Sequence, residues 1–342
     1  MTELHKSAGG GGRLRRWLGD DLPLWLERTF FEPPTAPVAI EIDSSHAVLA
    51  MAARERRGAA PRVTALRARP LPEGLVRPSV LQANVADPAA LAAEVRALFA
   101  GLPAPGPVSL LLPDGAAKIG ILELENLPAS RRDALELVRF RLKKTIPFRI
   151  EDAQVDYQPI VTAPGRVRLL TAVASRAAVQ PYLAAVEALG GQAGLVTVSS
   201  LALAERYPPA GAAAEGDALL ANVTPHALTL SVFRGGEMLL YRSKALAGPR
   251  ETDGEERRLS ARREWQATVA YYQERLEGKG FARAYARLVG WRPSDLLTPE
   301  EAERLELVGV EGWAQPAPGL AVPPEDGALF APALATALRG VQ

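Results

Sequence analysis

Two stretches of the chain repeat one hydrophobic pattern. The apolar runs Val38 to Asp43, His46 to Glu55 and Val63 to Leu71 follow one another, with only Ser44 and Ser45 between the first two. Such a gap between two apolar runs predicts a tight hairpin, and the third run extends it into a β-meander. The pattern returns at Asp217 to Val223 and Ala227 to Gly236, joined by Thr224, Pro225 and His226, and continues at Met238 to Leu246. Each meander is followed by helical patterns.

Between the meanders, Leu91, Val95 and Leu98 recur on one face of a stretch with Pro88 near its start and Gly101 after its end, predicting a helix over 88–101. Val108 to Asp114 reads as a buried strand and Ile119 to Pro128 as another. Ser130 is placed to cap a helix running from Arg131 to about Thr145. Leu135, Val138 and Leu142 form its apolar face; Arg131, Arg132, Arg139, Arg141, Lys143 and Lys144 make the rest basic, and Pro147 stops it. Strands follow through Asp156 and Tyr157 and over Val167 to Ser175, then a helix over Ala178 to Gly191. Beyond the second meander the pattern predicts a long helix over Leu259 to Gly278, a strand over Ala286 to Trp291, and helices within 299–306 and 328–339. Three antiparallel strands and then helices, twice over, predict an α/β chain of two similar lobes, the arrangement of the actin, Hsp70 and sugar-kinase superfold.

Composition narrows the function classes. The 342 residues carry 40 Lys plus Arg against 39 Asp plus Glu, a formal net charge of +1, which gives no case for nucleic acid as the main partner. With no cysteine, neither a disulfide framework nor a thiolate metal site is available. No apolar run approaches the roughly 20 residues that span a bilayer, and the N-terminus lacks the apolar core of a signal peptide; the expectation is a soluble, unsecreted protein. Residues 1–36 read as an extension: Gly9 to Gly12 flexible, Trp17, Leu18, Leu22, Leu26 and Phe30 near helical spacing, then a Pro-rich linker. That helical stretch suits a membrane surface or a partner, but Gly19, Pro23 and its acidic residues favour a short helix packed on the body.

The stretch Leu111 to Ile160 resembles the signature of the PilM family of type IV pilus assembly proteins. The ordered pieces are Leu112-Pro113-Asp114, Leu127-Pro128, Ile146-Pro147-Phe148, Glu151-Asp152 and Asp156-Tyr157. Val167 to Leu203 resembles that family's strand–helix–strand unit, and Glu264 to Glu274 its helix with a paired Tyr-Tyr. The resemblance spans about residues 38–291. It implies a two-lobed actin-like fold: a first lobe over 37–212 with an inserted subdomain at about 72–165, and a second lobe over 213–342. It also implies a cytoplasmic place at the inner face of the inner membrane, and a partner: the short cytoplasmic tail of a bitopic PilN-like protein, docking between the inserted subdomain and the rest of its lobe. Phe148 as an apolar anchor, with Asp156 and Tyr157 beside it, is the partner site so implied.

The chain departs from that family where ATP would bind. Members that bind ATP carry Gly-x-Asp-x-Gly-Ser-Ser at the first hairpin, glycine admitting the phosphates and aspartate holding magnesium. Here the run is Ala39-Ile40-Glu41-Ile42-Asp43-Ser44-Ser45, with Val48 at the basic position further on. The second hairpin's Asp-x-Gly is Asn222-Val223-Thr224, and the adenosine loop is Leu288-Val289-Gly290-Trp291-Arg292, with one glycine and a bulky indole. An added carboxylate at the phosphate cradle and a lost one opposite should weaken magnesium–ATP by several kcal/mol, each charged contact being worth about 1.5–3. The expectation is therefore a binding platform with weak or absent ATP binding and no ATPase activity. His46 and His226, at the two hairpins, would hold a metal only with Glu41 or Asp43 beside them, and no ligand spacing supports that. Two alternatives stand: an ATP-binding actin-like ATPase, or the cytoplasmic part of an L-type component of a type II secretion system, which would continue into a transmembrane helix.

Overall fold

The computed structural model describes residues 35–56, 59–163, 165–209, 215–246, 254–320 and 326–341. Residues 1–34 of the N-terminal extension, with its amphipathic stretch, lie outside the described residues. The first sheet takes β1 (Val38–Ile42), β2 (His46–Ala53), β3 (Arg62–Pro70), β4 (Pro107–Leu112), β8 (Gln192–Val198) and the short β14 (Gln315–Pro316), in the order β14-β3-β2-β1-β4-β8. The second takes β9 (Ala218–Thr224), β10 (Ala227–Arg234), β11 (Glu237–Ala245), β12 (Arg283–Leu288) and β13 (Leu305–Leu307), in the order β11-β10-β9-β12-β13. Both have the same design: an antiparallel meander whose first strand is central and pairs on its other side with a parallel strand. The repeated sequence pattern is thus a repeated topology.

Strand alternation sends each central strand two ways. In β1, Ile40 and Ile42 enter a core with α1 (Pro88–Leu98) and α3 (Arg176–Glu187), while Ala39 enters the core shared by both lobes. In β9, Leu219, Ala221 and Val223 pack with α5 (Gly254–Arg275), while Ala218 and Leu220 face the shared core. Glu41 and Asn222 stand in the register of those inward positions, so polar residues of two largely apolar strands point toward the same seam.

A third, antiparallel sheet, β5-β7-β6, forms from β5 (Lys118–Leu124), β6 (Ala153–Ala163) and β7 (Arg166–Ser175), covered by α2 (Arg131–Leu142), whose Ala134, Val138 and Leu142 are buried. The Ser130 hydroxyl accepts from Asp133 N at 3.4 Å, as a cap there requires.

Two boundaries read from the sequence shift. The stretch 72–165 includes α1 and β4, which belong to the first sheet and its core; the separate sheet runs from Lys118 to Ser175. The stretch 213–342 includes α8 (Gly327–Arg339), whose apolar face packs on β1, β2 and the short helix α4 (Ser199–Ala204), in the shared core. The chain therefore returns to its first lobe at the end. A side chain at Gly340 would collide with the Ala36 backbone, so glycine lets α8 end against the entry to β1.

Candidate functional site: the seam between the lobes

Where the central strands face each other, Glu41 and Arg287 form a buried ion pair. Arg287 lies on β12 directly opposite Asn222 in the register with β9. Its side chain is 2 % exposed and that of Glu41 1 %. Nη1 donates to Glu41 Oε1 at 2.9 Å and to Asn222 Oδ1 at 3.2 Å. Nη2 donates to Glu41 Oε2 at 3.2 Å and to the Leu329 carbonyl at 3.1 Å. Nε donates to the Ala328 carbonyl at 2.7 Å. All five guanidinium donors are thereby used. One cation joins the first lobe through Glu41, the second through Asn222, and the first turn of α8.

The carboxylate side is equally occupied. Ser199 Oγ, at the start of α4, donates to Glu41 Oε1 at 2.7 Å. Asn222 Nδ2 donates to Asp114 Oδ2 and to Ser200 Oγ, both at 3.0 Å. Ser200 donates through its backbone N–H to Asp114 Oδ1 at 2.9 Å and through its hydroxyl to Oδ2. Asp114 opens a single 3-10 turn, Asp114–Ala116, between β4 and β5. Burial pushes the Glu41 carboxyl above its ordinary value, against the pull of Arg287 and Ser199. Burial and the charge of Asp114 push the nearby Tyr241 hydroxyl well above its own. Removing two charges from water costs several kcal/mol per ion; a bidentate pair with every remaining donor bonded is the geometry that offsets it.

The two hairpins close on their own chain. Asp43 is half-buried, accepts from Ser44 Oγ at 3.4 Å, and its carboxyl is raised by burial. Ser45 Oγ meets His46 Nδ1 at 3.0 Å, and burial lowers the His46 ring. At the second hairpin, the Thr224 carbonyl accepts from the Trp291 indole N–H at 2.9 Å. Gly290, at φ +74°, makes the left-handed turn that brings the indole there. Among the described residues no group of three or more His, Cys, Asp or Glu side chains would hold a metal ion.

This arrangement does not fit a magnesium–nucleotide. Glu41 is spent on a guanidinium, the position facing it across the seam is the Asn222 amide, and Asp43 places a carboxyl where the first hairpin would need a glycine. Of the sequence-derived positions, Glu41 and Asn222 meet in one network, Thr224 and Gly290 shape the second hairpin, and Asp43, Ser44 and Ser45 close the first. Arg287, Ser199 and Ser200 were not foreseen. The available signal was the inner arginine of the strand RAYARL, flanked by Ala286 and Leu288, and a lone glutamate in VAIEI, opposite charges in apolar surroundings.

The structure divides the residues read as a partner site, Phe148, Asp156 and Tyr157. Tyr157 is 7 % exposed and sits in the core of the inserted subdomain with Val138, Leu169 and Val173; Phe148 packs against the same core. Alternation along β6 turns Tyr157 inward under α2 and leaves Asp156 outside, where Arg131 Nη2 donates to it at 3.0 Å. The subdomain instead carries an open groove of about 550 Å³ lined by Leu124, Leu137, Val167, Glu123, Arg141 and Arg166, among others.

Two lobes of one strand order, meeting over a polar seam and recrossed by a C-terminal helix, with a three-stranded subdomain inserted in the first, define an actin-like protein. A solved chain from a PilM-PilN type IV pilus biogenesis complex shares this fold, at a TM-score of 0.73 and 22% identity over 91% of this chain and 99% of that one. The cytoplasmic domain of EpsL, an inner membrane component of the type II secretion system of Vibrio cholerae, superposes at a TM-score of 0.46 with 13% identity over 87% of this chain and 94% of that one. A Bacteroides thetaiotaomicron protein with an actin-like ATPase fold also reaches 0.46, at 13% identity over 82% of this chain and 92% of that one. Neither of these two scores sets the fold. No protein-family model matches the sequence, and no curated protein matches it.

Proposed function

We propose that the protein is a scaffold of a type IV pilus or related inner-membrane assembly platform, working at the cytoplasmic face without ATP. The observation that carries this reading is the Glu41–Arg287 pair: the carboxylate at the position where the family resemblance implies a metal is held by a side-chain cation. The guanidinium cannot dissociate as a nucleotide can, so the lobes stay joined whatever the nucleotide level. The fold shared with a chain of a PilM-PilN complex supports a PilN-like partner, and the partner segment in this reading is the short cytoplasmic tail of a bitopic protein. The groove of the inserted subdomain suits such a tail: half-buried Leu137 offers apolar contact, with Glu123 and Arg141 giving charge of both signs at the rim.

The test is capture of a synthetic PilN-type tail peptide by the full chain in nucleotide-free buffer. Wild type should bind, Leu137→Glu should lose most of the binding, and added magnesium–ATP should change neither. Absence of wild-type binding, or binding that requires ATP, overturns the reading. Calorimetry with magnesium–ATP alone should show no micromolar affinity.

A further inference from the structure

The outer face of α2 presents an unusual surface. Phe140 is 73% exposed, the most exposed of the large hydrophobic side chains among the described residues. It lies opposite the buried Ala134, Val138 and Leu142, so it projects straight away from the subdomain. One turn further on the same face stand Lys143 and Lys144, followed by Arg149 on the loop after Pro147. These cations are weakly countered. Lys143 and Arg149 approach the single carboxylate of Glu151 only to 3.9 and 3.8 Å, and Arg149 reaches Asp152 at 4.0 Å. Lys144 stands in no ion pair among the described residues. Phe140 does not line the neighbouring groove.

We propose that this tip docks directly on an anionic lipid surface. The chemistry is complementary at two depths. An aromatic ring at the apex enters the headgroup layer, while flexible ammonium and guanidinium groups around it meet lipid phosphates and carry their apolar stems toward the ring. A folded protein partner would need to supply a pocket for the ring and fixed carboxylates at matching positions; a fluid anionic surface adapts to both. The inference goes beyond the scaffold reading, in which the chain reaches the membrane only through its partner. The lipid contact uses Phe140, Lys143 and Lys144, none of which lines the peptide groove.

The experiment is sedimentation of the full chain with vesicles of phosphatidylcholine alone or mixed with phosphatidylglycerol, at low and high salt. Wild type is expected to pellet with the mixed vesicles at low salt, to be released by salt, and to ignore phosphatidylcholine. Lys143→Glu with Lys144→Glu should lower the partition about tenfold or more, and Phe140→Ser should lower it at both salt levels. Lys279→Glu, on the second lobe, should bind as wild type. All variants should melt as wild type, since the substituted side chains are exposed. The proposal is overturned if wild type stays in solution at low salt, or if it pellets and the tip variants pellet equally, which would place the lipid contact elsewhere in the chain. The double charge variant should still capture the tail peptide, so that loss of lipid binding and loss of partner binding are read separately.

Discussion

In the seam, Arg287 and Glu41 are 2 % and 1 % exposed and meet at 2.9 Å. At the tip of the inserted subdomain, Arg149 and Glu151 are 77% and 54% exposed and meet at 3.8 Å. The same two side-chain types do opposite things. In the seam both ions have been stripped of water, each has one fixed arrangement, and removing either leaves the other stranded. At the tip both keep their hydration, contribute little to folding, and are free to exchange each other for an outside partner. Charge composition alone does not distinguish them; burial does.

The sharpest way to break the comparison is Arg287→Ala. It should cost about 3–5 kcal/mol, because Glu41 is left buried without its partner. The paired replacement Glu41→Leu with Arg287→Met should recover most of that loss, and chemical denaturation of the three variants measures it. If the single variant is as stable as wild type, the pair does not hold the lobes.

Next in size is Tyr157→Ala, which should cost about 3 kcal/mol as a core truncation, while Asp156→Ala on the neighbouring outward position stays close to neutral. Equal melting of the two variants would return Tyr157 to the surface.

Smaller effects carry opposite signs with pH. Asp43 has its carboxyl raised by burial, so the fold holds its proton more tightly than the unfolded chain does. Its contribution is present below the ordinary aspartate value, near 3.9, and is lost as pH rises through the folded value. Asp43→Asn should therefore gain stability over wild type at neutral pH and lose that gain in acid. Asp217 is the reverse: the hydrogen bonds from Arg234, with Tyr272 assisting, hold its carboxyl below the ordinary value. Its contribution is present at neutral pH and lost as pH falls through the folded value, so Asp217→Asn should be weaker than wild type at neutral pH and equal to it in strong acid. Melting temperature followed from neutral to acid pH checks both signs. Least of all, Arg149→Ala should leave the melting temperature unchanged, and a clear drop would mean that the tip is structural.

Much of the fold was legible in local pattern. The two meanders, the Ser130 cap and the helices of the inserted subdomain follow from periodicity and punctuation, which act over a few residues. The boundaries were less legible. That β4 joins β1, and that α8 crosses back to the first lobe, depend on pairings between residues far apart in the chain, which no local signal encodes. The candidate site divides the same way. The residues marking a departure from nucleotide binding stood out at Glu41, Asp43 and Asn222 because a motif could be laid beside them. The burial of Tyr157 was not legible, because a half-amphipathic ring in a strand suits a core or a surface equally until the covering helix is placed.

By itself the sequence determined the repeated α/β lobes, the absence of a thiol framework, and the unusual residues Glu41, Asp43 and Asn222 at the two hairpins. Only the tertiary structure decided what those residues meet. Glu41 and Arg287 are 246 residues apart, and neither charge is interpretable alone: an isolated charge in an apolar strand is a defect. It becomes the fastening of two lobes only when folding places the opposite charge against it and takes away the water.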